Sequence, residues 1–185
     1  MNHKGTQIIE TKRLILRKFK VSDAQQMFDN WANDSEVTKY LTWPSHGNIE
    51  VTKELLSDWV QNYQNNSYYN WCIEFKETAQ AIGSIGAVKV LEYINSVSIG
   101  YCISKEYWSK GIMTEALGAI IKFFFDEVDV NRISATHDTN NPASGRVMAK
   151  CGMKYEGTFV QAACNQQGIC DIAVYGLVKR DYTGF

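Results

Sequence analysis

The segment at residues 107–116, YWSKGIMTEA, constrains the fold more than any other, because a strand leads into it and a helix leaves it. Residues 98–103 alternate like a strand, and residues 115–125 form an apolar run at helical spacing. The turn between them opens a helix, where free amide groups and the positive end of the helix dipole bind anions. Gly111 lets the backbone approach a ligand closely and Lys110 adds a cation, so the turn is predicted to hold phosphate groups.

The composition describes one globular domain without a dominant charge. The chain has 185 residues, 45% of them hydrophobic and 21% charged, and its formal net charge is −1. No overall field therefore draws it to nucleic acid or to anionic lipid. We expect one domain over residues 1–185, with a core at about 8–182, in the cytoplasm and without a direct nucleic-acid or membrane partner.

The cysteines and histidines indicate neither a disulfide framework nor a metal centre. The five cysteines are odd in number and form no C-x-x-C pair, and there are only three histidines. The sequence contains no phosphate loop of the G-x-x-x-x-G-K-[ST] type, no H-E-x-x-H and no G-x-S-x-G. No apolar stretch approaches the ~20 residues that span a bilayer. A reducing compartment is expected.

The order of the predicted elements describes a mixed sheet. A strand at residues 13–17 is followed by helices at 22–33 and around 55–63, strands at 69–75, 81–91 and 97–103, a helix at 112–126, a strand at 132–138, a helix at 142–151, and strands at 154–163 and 169–179. The strands at 97–103 and 132–138 flank a crossover helix, so they are predicted to run parallel. The phosphate-binding turn opens between them, where ligands bind in such sheets.

The last helix has clear boundary signals. Asn141 stands at the N-cap, Pro142 at the first helical position and Gly152 just past the end. Ser144 lies in the first turn of this helix. Its hydroxyl group is therefore predicted to lie close to an extended ligand that leaves the Gly111 turn.

Four groups of residues, taken in order, resemble the GCN5-related N-acetyltransferases, and specifically their ribosomal-protein alanine/serine acetyltransferase subgroup. The resemblance covers nearly the whole chain. Its motifs are ETKRLILR at 10–17 with SDA at 22–24, IGSIG at 82–86, WSKG at 108–111 with TEA at 114–116, and N-x-x-S-x-RVM-x-K-x-GM at 141–153 followed by EG at 156–157. The resemblance implies an α/β (α+β) fold with a mixed, mostly antiparallel seven-stranded sheet and about four helices.

Membership implies that acetyl-CoA is the co-substrate, without a metal, and that it lies between the splayed fourth and fifth strands. The pantetheine arm would pair with the fourth strand, and the pyrophosphate would rest on amides of residues 109–114. The cofactor-binding residues implied are Ser98, Ile99, Tyr101, Cys102, Ile103, Ser109, Lys110, Gly111, Ile112, Met113, Thr114, Asn141, Ser144 and Lys150. Trp108 and Met113 depart from the broader pattern Gln/Arg-x-x-Gly-x-Gly/Ala. Tryptophan is common at the first position in this subgroup, but Met113 replaces a small residue near the phosphates, so we expect the cofactor to sit slightly differently.

Acetyl transfer to an amine requires a neutral amine, a polarised thioester carbonyl and a proton for the departing thiolate. A backbone amide of Cys102 or Ile103 can polarise the carbonyl. Ser144 is the first candidate for the proton donor and Tyr155 the second. On sequence alone, Ser144 is equally suited to capping the helix.

The base and the acceptor pocket are less constrained. Glu74 and Asp171 on strands, His137 at a strand end, or a chain of water molecules could take the proton from the amine. Trp43 and His46, in the loop between the first two helices, are predicted to line the acceptor pocket together with Asp171. Trp59, at helical spacing in the second helix, is predicted to lie on its buried face.

Several acceptors remain open at this point: a ribosomal or other protein N-terminus, a polyamine, or an antibiotic-like small amine, bound by a monomer or a homodimer. A non-catalytic acyl-CoA-binding or regulatory domain is the alternative class. Residues 21–60 hold seven acidic and two basic residues, a net charge of −5. Each acid alone fits a solvated helix face, but together they predict an acidic wall that attracts a cationic amine.

Overall fold

The computed structural model describes residues 1–184 and contains one eight-stranded mixed sheet. Its strands are β1 (Ile9–Glu10), β2 (Leu14–Arg17), β3 (Asn70–Phe75), β4 (Gln80–Leu91), β5 (Ser96–Ile103), β6 (Arg132–Asp138), β7 (Lys154–Asn165) and β8 (Gly168–Val178). The order in space is β1-β2-β3-β4-β5-β6-β8-β7, and only β5 and β6 run parallel. The predicted parallel pair and fold class are confirmed. The eighth strand is β1, whose two residues are too few to show alternation.

The helices are α1 (Ala24–Met27), α2 (Ser35–Thr38), α3 (Ile49–Asn62), α4 (Ile112–Phe123) and α5 (Pro142–Lys150). The predicted helix at 22–33 is a composite, because a 3-10 turn precedes α1 and a π-helical turn follows it. A second π-helical turn extends α4 to Val128. The one-turn α2 was not predicted, since four residues cannot display a helical period.

The two faces of the sheet carry separate hydrophobic clusters. Trp71 and Ile73 of β3 pack with α4 on one face, whereas Cys72 between them packs with α1 and α3 on the other. This is the alternation that a strand imposes on its side chains. α5 contacts α4 and β6, so the two helices that follow β5 and β6 share a face.

β5 and β6 pair over only part of their length. Their register runs from Ser96 opposite Arg132 to Ile99 opposite Ala135, and beyond these residues the strands separate. α4 begins after β5 and α5 begins after β6, so both helix starts lie at the open end. This opening determines where a ligand can enter the sheet.

Within residues 1–184, no helix combines the length and the apolar character that crossing a membrane requires. The same residues contain no group of three or more His, Cys, Asp or Glu side chains arranged to hold a metal ion.

Candidate active site

The separation of β5 from β6 opens a cleft of about 880 Å³. On one side it is lined by Ser98 to Cys102 of β5, by residues 136–138 of β6, and by Asn141 and Ser144 of α5. On the other side it is lined by the loop at residues 40–46 and by α3. The cleft thus brings the predicted pantetheine strand, Ser144 and the predicted acceptor loop together.

The predicted phosphate-binding turn begins α4 with two left-handed residues. Ser109 has a φ of +60° and Gly111, the N-cap, a φ of +74°. The amide of Glu115 bonds to the Gly111 carbonyl at 3.1 Å, so the amides of residues 109–114 precede this helical bond. Ser109, Lys110 and Gly111 are exposed. Successive amides around left-handed residues form a concave anion-binding surface.

Met113 does not crowd this surface. Its side chain is only 6% exposed and lies in the hydrophobic cluster beside α4, as does that of Ile112. The bulk of the methionine therefore faces the core. This geometry removes the physical reason for expecting a displaced cofactor at this position.

Side chains from distant segments brace the turn. The Glu115 carboxylate accepts hydrogen bonds from Thr11 Oγ1 at 2.6 Å, from the Arg13 amide at 2.8 Å and from Arg13 Nε at 2.7 Å. Arg13 Nη1 also donates to the Lys110 carbonyl at 3.0 Å. Partial burial tends to raise the pKa of Glu115, but the bonds from Thr11 and Arg13 outweigh it and lower that pKa. The two motifs at 10–17 and 114–116 therefore meet in one ionic network.

Trp108, the other departure from the family pattern, ties the turn to the end of β5. Its indole Nε1 donates to the Ile103 carbonyl at 2.9 Å. The tryptophan thus fixes the last residue of the strand that borders the cleft.

Ser144 lies on the cleft wall and forms a reciprocal pair with Tyr101. Ser144 Oγ donates to Tyr101 Oη at 2.9 Å, and Tyr101 Oη donates to the Ser144 carbonyl at 3.0 Å. Burial holds the pKa of Tyr101 well above its ordinary value, although the bond from Ser144 opposes this shift. The Ser144 hydroxyl is directed to Tyr101 and not to a helix amide, so the geometry favours a site residue over a cap.

Three other predicted residues lie elsewhere. Glu74 accepts a hydrogen bond from Arg17 Nε at 2.6 Å, and the same guanidinium binds Asp23. Tyr155 is 57% exposed and its hydroxyl bonds to Thr158 Oγ1. Asp171 Oδ1 accepts from the Gln161 amide at 2.7 Å, within the irregular pairing of β7 and β8. None of the three lines the cleft.

The alternation of side chains along a strand could not reveal the hydrogen-bond partners of Glu74 and Asp171. The geometry therefore provides no support for Glu74 or Tyr155 in catalysis or for Asp171 in acceptor binding.

Lys150, in the last turn of α5, is exposed and lies outside the cleft lining. Ile103 and residues 109–114 also lie outside that lining, so these residues and Lys150 remain predictions for cofactor binding.

The loop at 40–46 places aromatic rings on the cleft. Trp43 and His46 both line it, with ring centroids 5.3 Å apart. His46 Nδ1 bonds to the buried Thr52 hydroxyl at 2.7 Å, and burial lowers the pKa of His46. Tyr40, which no sequence pattern singled out, also lines the cleft, and Trp59, predicted on a buried helix face, borders it.

The expectation of an acidic wall from residues 21–60 is wrong. None of the seven acids lines the cleft. Asp23 is buried beside Arg17, Asp34 caps α2 by accepting from the Glu36 amide at 2.8 Å, and the Glu36 side chain is 62% exposed. Local sequence could not show which helix face each acid occupies.

The single charged residue among those lining the cleft, over the part of the chain described, is Asp138. Its Oδ1 accepts from the Asn140 amide at 2.7 Å and its Oδ2 from Asn165 Nδ2 at 2.6 Å. Burial tends to raise the pKa of Asp138, but these bonds lower it, so the carboxylate is ionised at neutral pH.

His137, a candidate base, has its ring beneath α5. Nδ1 bonds to the Asp138 carbonyl at 2.7 Å, and Nε2 is buried without a hydrogen-bond partner among the described residues. A Cβ at position 145 would lie 2.5 Å from Nε2, so Gly145 makes room for the ring. The ring packs against helix backbone and has no free nitrogen directed at solvent.

Comparison with known proteins agrees with this geometry. The family profile described as "Acetyltransferase (GNAT) domain" matches residues 13–154. The uncharacterized N-acetyltransferase YoaA of Bacillus subtilis is 33% identical over 172 residues, covering 93% of this chain and 97% of that protein. A solved GNAT-family acetyltransferase from Bacillus anthracis is 27% identical, with a TM-score of 0.82 over 94% of this chain and 99% of the other.

A third similarity concerns the fold alone. The structure titled RimL, a ribosomal L7/L12 alpha-N-protein acetyltransferase in complex with coenzyme A, has a TM-score of 0.84 at 19% identity. The similarity covers 93% of this chain and 98% of that one.

Proposed function

The chain belongs to the GNAT family of acetyltransferases and is an acetyl-CoA-dependent N-acetyltransferase, and we propose from this premise that it acetylates a primary amine by direct attack in a ternary complex. The observation that carries the proposal is the cleft itself, which is lined both by the open edge of β5 with Ser144 and by the aromatic loop at 40–46.

The residues present suit acetyl-CoA as the first substrate. The amides of residues 109–114 would bind the pyrophosphate, with Lys110 adding a cation. The edge of β5 from Ser98 to Ile103 would pair with the pantetheine arm, and Asn141 would contact the same arm from α5. The acetyl thioester supplies the activated acyl group, and a backbone amide of Cys102 or Ile103 would polarise its carbonyl.

Ser144 is the proposed proton donor. The amine nitrogen forms a bond to the carbonyl carbon, the carbon–sulfur bond breaks, and the Ser144 hydroxyl turns from Tyr101 to protonate the thiolate. The proton that the amine loses returns to Ser144 through water in the cleft, so the serine ends the reaction as a hydroxyl. Tyr101, whose pKa is raised by burial, stays protonated and holds the serine rotamer. Since Glu74 is paired with Arg17 and Asp171 with a backbone amide, we assign removal of the amine proton to water in the cleft.

We propose an α-amine of a protein, or a small-molecule amine, as the acceptor. The RimL structure is titled an alpha-N-protein acetyltransferase, which supports a protein N-terminus as the acceptor here. The similarity of fold extends over nearly the whole length of both chains, so the comparison is not limited to the cofactor half of the cleft.

The test is release of free thiol from acetyl-CoA in the presence of an amine, with wild type and Ser144→Ala. A proton donor acts chiefly in the transition state, so Ser144→Ala should lower kcat about 100-fold while leaving acetyl-CoA affinity nearly unchanged. Ser134→Ala is the matched control, because Ser134 is a half-buried serine of β6 outside the cleft lining. Wild-type turnover in Ser144→Ala would show that this hydroxyl takes no part in the reaction.

A further inference from the structure

The acceptor side of the cleft is a wall of aromatic and aliphatic side chains. We use "acceptor wall" for Tyr40, Leu41, Trp43, Pro44, Val51, Leu55, Trp59 and Tyr68. These residues come from the loop at 40–46, from α3 and from the segment before β3. None carries a charge, and in the described chain Asp138 is the one charged residue anywhere in the cleft lining.

The acceptor wall is held in place before any ligand binds. The His46 ring packs against Trp43, and its Nδ1 is fixed by the fully buried Thr52. The His46 amide also donates to the Ala32 carbonyl at 2.9 Å. Burial lowers the pKa of His46, so the ring beside Trp43 is neutral at pH 7 and adds no cation to the wall.

The turn between β7 and β8 contacts the edge of the acceptor wall. Gln166, in the turn between β7 and β8, donates from Nε2 to the Leu41 carbonyl at 3.4 Å. Asn165, the last residue of β7, donates to the Asp138 carboxylate. The β7–β8 hairpin therefore connects the acceptor wall to Asp138.

This distribution of charge selects among amines. Apolar and aromatic side chains bind an apolar ligand because the contact removes apolar surface of both from water. Tryptophan offers one of the largest faces for such a contact. Asp138 is 5% exposed and already accepts hydrogen bonds from Asn140 and Asn165, so it can receive at most the single ammonium group of an entering acceptor, before that amine loses the proton that attack requires. Further ammonium groups would lose their hydration with no other carboxylate in the described lining to receive them, and an acidic acceptor would meet no cation.

We infer that the acceptor is a primary monoamine carried on an apolar or aromatic group, which the acceptor wall binds while Asp138 is the only charged partner. For a protein acceptor this means an N-terminus followed by apolar side chains, and for a small molecule an arylalkylamine. Polyamines and aminoglycosides are poor acceptors. The inference rests on the proposed function, because it names the acceptor class of that reaction.

The first experiment compares kcat/KM for matched acceptors by thiol release. The panel holds peptides that begin Ala-Phe-Leu, Ala-Asp-Glu and Ala-Lys-Lys, together with 2-phenylethylamine, spermidine and kanamycin. The apolar peptide or 2-phenylethylamine should exceed the charged peptides, spermidine and kanamycin by about tenfold or more. Comparison of the apolar peptide with 2-phenylethylamine shows whether the acceptor is a protein N-terminus or a small molecule. Spermidine, kanamycin or a charged peptide as the best acceptor would overturn the inference.

The second experiment replaces Trp43. Trp43→Ala should raise KM for the apolar acceptor about tenfold and leave KM for acetyl-CoA unchanged, whereas Trp43→Phe should recover most of the loss. Tyr93→Ala is the control, because Tyr93 is 83% exposed and outside the cleft lining. Unchanged CoA affinity in Trp43→Ala shows that the variant is folded. An acceptor KM equal to wild type in that folded variant contradicts the inference.

A binding measurement separates this inference from the proposed function. If no amine releases thiol although acetyl-CoA binds, catalysis has failed but the acceptor wall is still testable. Quenching of tryptophan fluorescence by 2-phenylethylamine, present in wild type and lost in Trp43→Ala, would support the wall. Equal quenching by spermidine, or none by either amine, would refute it.

Discussion

The two halves of the cleft are built from different parts of the polypeptide. The cofactor half uses backbone groups, namely the amides of the turn before α4 and the open edge of β5. The acceptor half uses side-chain faces from a loop, a helix and the segment before β3. Backbone sites depend on local conformation, which glycine and cap residues encode, whereas side-chain faces depend on how distant segments pack.

The halves also differ in how they are held. Arg13 and Glu115 brace the cofactor half through an ionic network between segments about one hundred positions apart in sequence. The acceptor wall is braced by ring packing and by one histidine–threonine hydrogen bond. Charge should therefore govern binding in the first half and apolar contact in the second.

The largest expected effect comes from Gly111→Glu. The φ of +74° at this position already strains any L-residue, and a carboxylate would repel the phosphates from the amides that precede the first helical bond. We expect CoA affinity to fall on the order of 100-fold, about 2.7 kcal/mol, measured by calorimetry. Binding of an apolar amine to the acceptor wall should be unaffected.

Gly152→Glu is the matched control for this variant. Gly152 lies just past the end of α5 with a φ of +77°, and a Cβ at this position would meet no heavy atom within 4 Å. The control therefore shares the backbone strain and the new charge but lies outside the phosphate-binding turn. If the two variants bind CoA equally well, the turn before α4 does not hold the phosphates.

The contrast between a site built from backbone groups and a wall built from side chains explains how much of the fold and of the site the sequence could predict. Gly111 before an apolar helical run, and Asn141-Pro142 before α5, are local signals, and both helix starts lie where they were predicted. The sequence could not show that Glu74 pairs with Arg17, because Arg17 comes from a neighbouring strand, and Trp59 was predicted to be buried because helical spacing does not distinguish a cleft from a core. The strand spacing also could not reveal that Tyr101 and Ser144 pair through their hydroxyl groups.

An intermediate effect is expected from Glu115→Gln. The variant keeps the shape of the side chain but removes the charge that binds Arg13, so the turn should loosen without unfolding. Since hydrogen bonds to charged groups contribute about 1.5–3 kcal/mol, we expect a loss of about 1–2 kcal/mol in unfolding free energy at this partly exposed site. KM for acetyl-CoA should rise several-fold, on the order of 5-fold, while the acceptor KM stays constant.

The effect of Glu115→Gln on stability should depend on pH. The folded pKa of Glu115 lies below its ordinary value of 4.5, so the stabilisation is complete above that value and is lost as the pH falls through the folded pKa. Thermal unfolding should separate wild type from the variant at pH 7 and bring them together in acid. Glu10→Gln serves as the control, because the Glu10 carboxylate is 65% exposed and its pair with Lys76 should contribute little. A gap between wild type and Glu115→Gln that is constant with pH would exclude the ionic brace.

The smallest effect is expected from neutralising the acids outside the cleft with Asp34→Asn and Glu36→Gln together. Asparagine retains the side-chain oxygen that caps α2, so the fold should be preserved. Glu36 approaches Lys105 only to 3.9 Å, and both side chains are more than half exposed, so salt screens their fields over about 8 Å before they reach a bound amine. The acceptor KM of the double variant should stay within about twofold of wild type at both low and high salt, because neither acid lines the cleft. The opposite result would be an acceptor KM that rises with salt in wild type but is already raised, and independent of salt, in the double variant. It would mean that long-range charge attracts the amine and that the acceptor half, like the cofactor half, binds by electrostatics.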